Sequence, residues 1–293
     1  MPTLPFVGQR RYKTAMLIAT FNVNSVRQRI EHLVRWLGER SPDLVCLQEL
    51  KCLDEAFPRE AIEALGYQVE THGQKTFNGV ALLSKHPLEI EHRGLPGFED
   101  EQARYIEGVV SLPGAGSGKV VGGFPSDPAT QPQGSALRIA SIYFPNGNPM
   151  PGPKFDYKRA FMAALTAHAK GLLALEEPLV LAGDYNVIPE PRDARYPENW
   201  IGDALFQPES RADFRRLCAL GFTEAIRATS DDPGLYTFWD YQAGAWQRNN
   251  GIRIDHLLLS PLAADRLIEA GIDKAMRAEE KPSDHVPVWC RLR

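Results

Sequence analysis

The sequence predicts an α+β protein in which two β-sheets pack together and helices cover them. Short apolar runs recur along the 293 residues, which is typical of buried strands. Helical apolar stripes separate some of these runs, and the second half of the chain is richer in turns than the first. Strands and helices therefore do not alternate regularly enough for a doubly wound parallel sheet.

The apolar runs predict eight strands, most of them buried on both faces because polar residues rarely interrupt them. In chain order they are Ala15–Val23, Asp43–Leu50, Gly79–Ser84, Ile106–Leu112, Arg138–Phe144, Leu179–Ala182, Ile254–Ser260 and Val286–Leu292. This number of strands suits two packed sheets better than one.

Three segments have the apolar spacing of helices. Apolar residues recur at i, i+3, i+4 and i+7 over Ile30–Leu37, a longer apolar face covers Phe155–Glu177, and Ala212–Leu220 is closed by Gly221. We expect these helices to cover the outer faces of the sheets.

We expect one catalytic domain over residues 15–293, preceded by a short extension, residues 1–14. Pro113–Ala136 contains six glycines and four prolines in 24 residues and is interpreted as a hairpin insertion between two strands. Within it, Gly114–Lys119 resembles a phosphate-binding loop, but Pro113 and Val120 stand where that motif requires glycine and Ser or Thr. A nucleotide-binding loop is therefore not predicted.

Composition excludes several classes of protein. The 33 basic and 37 acidic side chains give a net charge of −4, so nucleic-acid binding would need a local basic patch. The four cysteines form no C-x-x-C pair, which argues against structural zinc and against a disulfide framework. No apolar run is long enough to span a membrane and no signal peptide is convincing, so we expect a cytoplasmic protein.

Polar side chains stand where four of the predicted strands end. They are Asn22 and Asn24, then Glu49, then Tyr143 and Asn146, and finally Asp184 and Asn186. Strand ends are where a rigid scaffold presents side chains to a shared cleft. Each group taken alone also has an ordinary interpretation, since Glu49 fits a solvated turn, Asp184 a tight turn and Tyr143 a core aromatic.

The C-terminal half adds Asp255 near the start of one strand and the pair Asp284-His285 before the last. Carboxylates, amides and a histidine together are the groups needed for metal-assisted hydrolysis. Glu49 and Asp284 offer the hard oxygen ligands that suit Mg²⁺ or Mn²⁺. Asp255 would orient His285 and stabilise its imidazolium. The alternative is a buried pair that only joins two strands.

Seven blocks between residues 16 and 291 resemble, in order, those of the exonuclease III class of the endonuclease/exonuclease/phosphatase superfamily. They are Phe21-Asn22-Val-Asn24 with Arg27, Leu47-Gln-Glu49-Leu-Lys51, Gly79–Ser84, Tyr143-Phe-Pro-Asn146-Gly147, Gly183-Asp184-Tyr-Asn186, Arg253-Ile254-Asp255 and Ser283-Asp284-His285-Val-Pro-Val. Seven short motifs in the right order are far more specific than any one of them.

The resemblance implies a four-layer α/β sandwich with its site at one rim of the two sheets, and hydrolysis of a DNA phosphodiester beside an abasic site. The implied metal ligands are Glu49, assisted by Asn22, Asn24 and Asp284, and the implied catalytic residues are Asp184, Asn186, Tyr143, His285 and Asp255. Asp184 would orient or deprotonate the attacking water, Asn186 and Tyr143 would contact the phosphate, and His285 would bind the phosphoryl oxygen as its charge grows. The sequence does not decide whether Asp184 or His285 takes the proton of the water.

The nuclease branch of that family is also indicated by the segment from Tyr236 to Asp255. It implies an apolar wall for an abasic sugar, formed by Phe238, Ile252 and Ile254. Further DNA contacts are implied for Asn146, Lys158, Trp239, Arg248 and Arg253. Ordinary core packing is the alternative for the aromatic residues.

The resemblance thus implies a DNA repair nuclease of the compact bacterial type, acting as a monomer with Mg²⁺ or Mn²⁺. Its partner would be duplex DNA with abasic sites or 3′ blocks, and its activities would include 3′-5′ exonuclease and 3′-end processing. Two alternatives stay open, namely a superfamily phosphatase acting on a small or lipid phosphate and a DNA binder with a vestigial site. A vestigial site is disfavoured because Glu49, Asp184, Asp255 and His285 are all present.

Overall fold

Two six-stranded sheets form the centre of the structure, a computed structural model that describes residues 15–112 and 136–293. The strands are β1 (Met16–Asn22), β2 (Leu44–Gln48), β3 (Gln68–His72), β4 (Val80–Ser84), β5 (Leu88–Arg93), β6 (Tyr105–Ser111), β7 (Ala136–Tyr143), β8 (Leu179–Asp184), β9 (Thr223–Glu224), β10 (Asp255–Leu259), β11 (Leu267–Ile272) and β12 (Val288–Leu292). The first sheet has the order β11-β12-β1-β2-β4-β3 and the second β5-β6-β7-β8-β10-β9.

Each sheet has one parallel pair at its centre, and its other pairs are antiparallel. In the first sheet β1 runs parallel to β2 and ends with Asn22 beside Gln48. In the second β7 runs parallel to β8 and ends with Tyr143 beside Asp184, while β10 runs antiparallel and places Asp255 opposite Asp184. This topology carries polar strand ends from both sheets to one rim of the molecule.

Aliphatic side chains fill the space between the sheets. Ile18 and Leu82 of the first sheet and Ile139 and Leu257 of the second belong to this buried layer. Polar contacts replace it near the rim, where Gln48 donates from Nε2 to Ser141 Oγ at 3.0 Å. Because both groups are fully buried, this bond aligns the two sheets directly below the rim.

Helices cover both outer faces, which confirms the predicted four-layer α/β sandwich. The helices are α1 (Ile30–Arg40), α2 (Arg59–Glu63), α3 (Pro153–Leu173), α4 (Pro208–Cys218), α5 (Ala225–Thr229) and α6 (Pro261–Ala264). Leu33 and Leu37 of α1 pack on the first sheet, as their spacing predicts, and Phe161 of α3 and Phe214 of α4 pack on the second. The longest helix ends at Leu173 rather than at the predicted Glu177.

All eight predicted strands are present, and four further strands were not predicted. The additional strands are β3, β5, β9 and β11, which are the four edges of the two sheets. The N-terminal extension and all but Ala136 of the predicted insertion lie outside the described residues, and the single domain over residues 15–293 stays a prediction. Of the helices in the described part of the chain, none is long and apolar enough to cross a membrane.

A buried charged cluster joins α3 to the second sheet. Glu107 of β6 is fully buried, and its carboxylate accepts from Arg138 Nη1 at 2.6 Å and from Tyr105 Oη at 2.6 Å. His168 Nε2 of α3 lies 2.7 Å from the same carboxylate. Burial alone would raise the pKa of Glu107, but these three partners outweigh it and lower the pKa from 4.5 to about 2.

Glu107→Gln is expected to destabilise the fold in a pH-dependent way. A carboxylate whose pKa is lower in the folded state than in the unfolded state stabilises the fold above pH 4.5, by about 3 kcal/mol for a shift of this size. This contribution is lost as the pH falls toward 2. Urea unfolding should be measured between pH 7 and pH 3, and the difference in unfolding free energy between variant and wild type should become smaller below pH 4.5. The control is Glu89→Gln, on the exposed side of β5, which should change the unfolding free energy little. If the difference in unfolding free energy between Glu107→Gln and wild type did not vary with pH, Glu107 would not be ionised in the folded protein.

Candidate active site

The polar strand ends meet in one cluster at the rim. Asn22 ends β1, Glu49 directly follows β2, Asp184 ends β8, Asp255 begins β10, and His285 stands just before β12. The sheets deliver these groups from five separate positions in the chain. The site therefore depends on the packing of the two sheets against each other.

Asn22 connects the two sheets at the centre of the cluster. Its Nδ2 donates to Glu49 Oε1 at 2.8 Å and to Asp184 Oδ2 at 3.0 Å. Its Oδ1 accepts from the backbone of Asn24 at 3.0 Å, and the side chain is fully buried. One amide thus holds two carboxylates of opposite sheets within reach of a common atom.

The loops of the site have unusual backbone conformations. Glu49 and Lys51 have φ of 54°, Asn24 has 42°, Ser25 has 84° and Asn186 has 47°. A positive φ costs free energy for residues other than glycine and persists where the surroundings impose it. These residues follow the ends of three buried strands, β1, β2 and β8, at the rim.

Glu49 is held as an anion. Lys51 Nζ lies 2.8 Å from Glu49 Oε2, and the same ammonium donates to Asn24 Oδ1 at 2.5 Å. Burial would raise the pKa of Glu49, but Lys51 and the hydrogen bond from Asn22 outweigh it and hold the pKa below its usual value. Asn24 Nδ2 also donates to Asp284 Oδ1 at 2.9 Å. Because Lys51 contacts both Asn24 and Glu49, this bond links Asp284 to Glu49.

A histidine lies between two carboxylates on the other side of the cluster. His285 Nδ1 is 2.9 Å from Asp255 Oδ2, and His285 Nε2 is 3.6 Å from Asp184 Oδ2. Burial would lower the pKa of His285, yet Asp255 and Asp184 outweigh it and raise the pKa to about 10. The imidazole is therefore placed to act as a cationic donor, and Asp255 fixes its orientation.

Asp184 is almost completely buried, with 1% of its surface exposed. Its Oδ1 accepts from the backbone of Asn186 at 2.9 Å, while Oδ2 accepts from Asn22. Burial, with the nearby charges of Asp255 and Glu49, raises the pKa of Asp184 to about 7 although His285 acts in the opposite direction. A carboxylate with this pKa can accept a proton near neutral pH.

The donors fit a divalent cation. One ligand atom each from Glu49, Asp184 and His285 lies within 4.8 Å of the others, and the amides of Asn22 and Asn24 and the carboxylate of Asp284 adjoin them. Most of these donors are hard oxygens, which favours Mg²⁺ or Mn²⁺ over softer ions. The Lys51 ammonium lies between Glu49 and Asn24, so positive charge is already accommodated there.

A cavity of about 490 Å³ opens beside Glu49. Tyr143 and Asn146 line it, together with Arg104, Lys154 and Phe77, whose side chain is 67% exposed. The Arg104 guanidinium lies 4.8 Å from the centre of the Tyr143 ring. Burial, together with the charges of Glu49 and Asp184, raises the pKa of Tyr143, so its hydroxyl keeps its proton and can donate.

Two predicted phosphate contacts are corrected by the structure. Lys158 is 1% exposed, and its Nζ donates to three backbone carbonyls. Arg253 is 2% exposed, and its guanidinium pairs with Asp193 at 2.8 Å and with Glu224 at 3.1 Å. Neither side chain reaches the surface, because each charge is neutralised or solvated by partners inside the fold. Arg248, the third predicted basic contact, is exposed.

The predicted sugar wall is reduced to one residue that faces the site. The Phe238 ring is half-buried, and its centre lies 5.0 Å from that of His285. Ile252 and Ile254 are buried in the cluster against which Phe238 packs, so they support it and do not face solvent. Trp239 is fully buried against Trp246 and belongs to the core, which corrects its assignment to DNA binding.

Three residues adjoin the site although no sequence motif assigns them a role, namely Lys51, Arg104 and Phe77. Lys51 stands two residues after Glu49 within the same block, so its proximity to Glu49 was readable from the sequence. Arg104 and Phe77 come from segments with no recognisable motif, and only the folded chain brings them to the cavity. An aromatic residue in a polar turn was the single hint for Phe77.

The chain is similar to known proteins in both sequence and fold. Residues 19–285 match the profile of the Endonuclease/Exonuclease/phosphatase family. Exodeoxyribonuclease III of Haemophilus influenzae is 33% identical over 289 residues, which cover 95% of this chain and 100% of the relative. The DNA repair nuclease APEX1 of Danio rerio is 28% identical over 280 residues, which cover 93% of this chain and 81% of the relative.

Solved structures agree with the sequence comparison. The 3′ phosphatase NExo from Neisseria, bound to a product DNA hairpin, has a TM-score of 0.84 and 34% identity, covering 95% of this chain and 99% of that one. An AP endonuclease from Archaeoglobus fulgidus has a TM-score of 0.83 and 30% identity, covering 94% and 99%.

Proposed function

The chain belongs to the endonuclease/exonuclease/phosphatase family, and from this premise we propose that it is a divalent-metal-dependent DNA repair nuclease. It hydrolyses the phosphodiester 5′ to an abasic site and also processes 3′ ends with 3′-5′ exonuclease activity. The carrying observation is that Asn22 and His285 join the carboxylates of Glu49, Asp184 and Asp255 in one cluster. The names of its relatives, exodeoxyribonuclease III, DNA repair nuclease and 3′ phosphatase, support DNA as the substrate.

In the proposed reaction Asp184 orients the attacking water and accepts its proton. Asp184 Oδ1 is fixed by the backbone of Asn186 and Oδ2 by Asn22, so the carboxylate cannot rotate away from the phosphorus. His285 already lies between two carboxylates and suits a different task, donation to the phosphoryl oxygen as its negative charge grows. The site thus separates the acceptor of the proton from the donor to the phosphate.

Glu49 is the proposed principal holder of Mg²⁺ or Mn²⁺, with Asn22, Asn24 and Asp284 assisting. When bound, such an ion supplies positive charge that stabilises the phosphorane-like transition state and the leaving oxygen. Tyr143 and Asn186 would hold the remaining phosphate oxygens through neutral donors. Glu49 suits its role because it is ionised and partly open to the cavity.

The cavity beside Glu49 suits a DNA strand. Arg104 and Lys154 offer charge for phosphates, Asn146 offers an amide, and the exposed Phe77 ring offers a surface on which a base can stack. Glu49 is the one carboxylate among its lining residues, which keeps the remainder of the cavity neutral or positive. This distribution explains how a chain of net charge −4 can bind a polyanion.

Phe238→Ala is expected to reduce the preference for abasic DNA. Phe238 borders His285 and offers no hydrogen bond to a base, so it would pack against a sugar that lacks one. A base-bearing nucleotide must also overcome unstacking, which costs a few kcal/mol. The smaller side chain should admit such nucleotides and lower the ratio of cleavage rates between duplexes with and without one abasic site.

The matched control for that variant is Arg248→Ala. The exposed Arg248 would contact a phosphate, so its loss should weaken the binding of every duplex alike. The slope of the logarithm of affinity against the logarithm of salt concentration should fall in magnitude by about one. If Phe238→Ala left the abasic preference unchanged, Phe238 would be better explained as part of the core cluster formed with Ile252.

The deciding experiment compares substrates from the competing classes. Full-length protein with Mg²⁺ should nick a 5′-labelled duplex at a single abasic site, and EDTA should abolish the reaction. Release of phosphate from inositol phosphates without cleavage of DNA would favour a small-molecule phosphatase. No hydrolysis of either substrate with Mg²⁺ or Mn²⁺ would favour a non-catalytic relative. A monomeric state and a cytoplasmic location stay predictions.

A further inference from the structure

Lys158 places a buried ammonium at the junction of three loops. Its Nζ donates to the carbonyl of Asn146 at 3.0 Å, of Asn186 at 2.5 Å and of Ala204 at 3.3 Å. These carbonyls belong to the loop after β7, the loop after β8 and the segment that precedes α4. Three donors meet three acceptors, so no proton of the ammonium remains for a ligand.

The loop after β7 is shaped around the lysine stem. Gly147 has a φ of 93°, and a Cβ at this position would lie 2.7 Å from Lys158 Cδ and 3.0 Å from Ala204 Cβ. A larger residue would therefore push the loop away from the lysine. The same loop is tied to the third segment by Asn148, whose Oδ1 accepts from the backbone of Ala204 at 3.0 Å.

The two residues whose carbonyls Lys158 binds most closely border the cluster and its cavity. Asn186 donates from its backbone to Asp184 Oδ1 at 2.9 Å, and its Nδ2 lies 3.4 Å from Asp184 Oδ2 and donates to Phe144 O at 2.9 Å. Asn146 lines the cavity beside Glu49, and its Nδ2 lies 3.4 Å from Asn186 Oδ1. A shift of either loop would therefore move an amide that is proposed to meet the phosphate, and a shift of Asn186 would also release Asp184.

We infer that Lys158 is a positioning residue for hydrolysis: its ammonium joins the loops of Asn146 and Asn186 and so fixes the amides that meet the phosphate. This inference rests on the proposed function. It assigns to Lys158 a role in alignment instead of the direct DNA contact that the sequence suggests.

Lys158 also supports the fold, because an apolar side chain at this position would remove the donor from the buried carbonyls of Asn186 and Ala204. A buried carbonyl left unpaired destabilises the folded state. Loop alignment is a separate effect, which needs a group that binds carbonyls from three directions at once. An error on the order of 1 Å in the placement of reacting groups can cost about 100-fold in rate.

The test uses Lys158→Met, which keeps the length of the side chain and removes the ammonium. On an abasic duplex with Mg²⁺, kcat should fall between about 10- and 100-fold, while Kd for DNA and the Mg²⁺ requirement stay within about twofold. Lys170→Met, on the exposed side of the same helix, is the matched control and should behave as wild type.

A double-mutant cycle with Asn186→Ala separates alignment from general support of the fold. If Lys158 acts through the Asn186 loop, Lys158→Met should lower kcat by a clearly smaller factor in the Asn186→Ala background than in the wild-type background. An equal effect in both backgrounds, or wild-type kcat for Lys158→Met, would overturn the inference. Should Lys158→Met not fold, Gly147→Ala must give the same loss of kcat and the same lack of additivity.

The cycle also distinguishes failure of this inference from failure of the proposed function. If Asn186→Ala alone kept wild-type turnover, the assignment of the phosphate contacts would be wrong. If Asn186→Ala lost turnover and Lys158→Met did not, only the role of Lys158 would be wrong.

Discussion

Asp184→Asn is expected to lower turnover on an abasic duplex by about 10²- to 10⁴-fold, the range for loss of a general base, with DNA affinity nearly unchanged. The substitution removes the anion that is proposed to accept the proton of water. It also places an amide where Asn22 Nδ2 and the Asn186 backbone both donate, so one of these donors loses its acceptor. The phosphate contact proposed for His285 would remain.

The measurement is single-turnover cleavage combined with equilibrium binding of the same duplex. Asp231→Asn, whose side chain is 90% exposed, controls for loss of one acidic charge and should match wild type. Equal losses of binding and turnover in Asp184→Asn would indicate a residue that shapes a turn, because a base that acts only on water does not contribute to DNA affinity.

Glu49→Ala is expected to remove most activity and to raise the Mg²⁺ concentration needed for what remains. A hard cation loses its anionic ligand, and Lys51 and Asn22 lose the carboxylate that they share. The residual rate should therefore depend steeply on Mg²⁺ over a range in which the wild type is saturated.

The check is a Mg²⁺ titration of the cleavage rate together with calorimetric Mn²⁺ binding. Glu55→Ala, an exposed carboxylate in the turn after the same block, is the control and should leave both curves unchanged. Wild-type turnover of Glu49→Ala at low Mg²⁺ would exclude Glu49 as the principal ligand. Weaker Mn²⁺ binding with normal turnover would mean that the ion Glu49 holds is not used in catalysis.

The eight strands predicted from apolar runs are the inner strands of both sheets, and the four that were missed are the edges. An inner strand is covered on both faces and paired on both sides, so nearly every residue must be apolar. An edge strand is not under that constraint. In β5 only Leu88 is buried among six residues, and apolar side chains alternate with polar ones only at Leu88 and Ile90.

The candidate catalytic residues could be chosen from the sequence because each lies in a short block at a strand end. Glu49, Asp184 and His285 are positioned by a few neighbouring residues, so local sequence carries most of the information. Their distances to one another could not be read in the same way. Asn22 and Asp184, which share a hydrogen bond, are 162 residues apart.

By itself the sequence determined the inner strands, the covering helices and the blocks that carry polar side chains, since burial and turn chemistry act over neighbouring residues. The tertiary structure alone decided which charges are inside. Lys158 and Arg253 look like surface cations because a basic side chain is usually solvated. Their partners lie up to 46 and 60 residues away, and a buried charge depends on those distant partners for the solvation that water would otherwise provide.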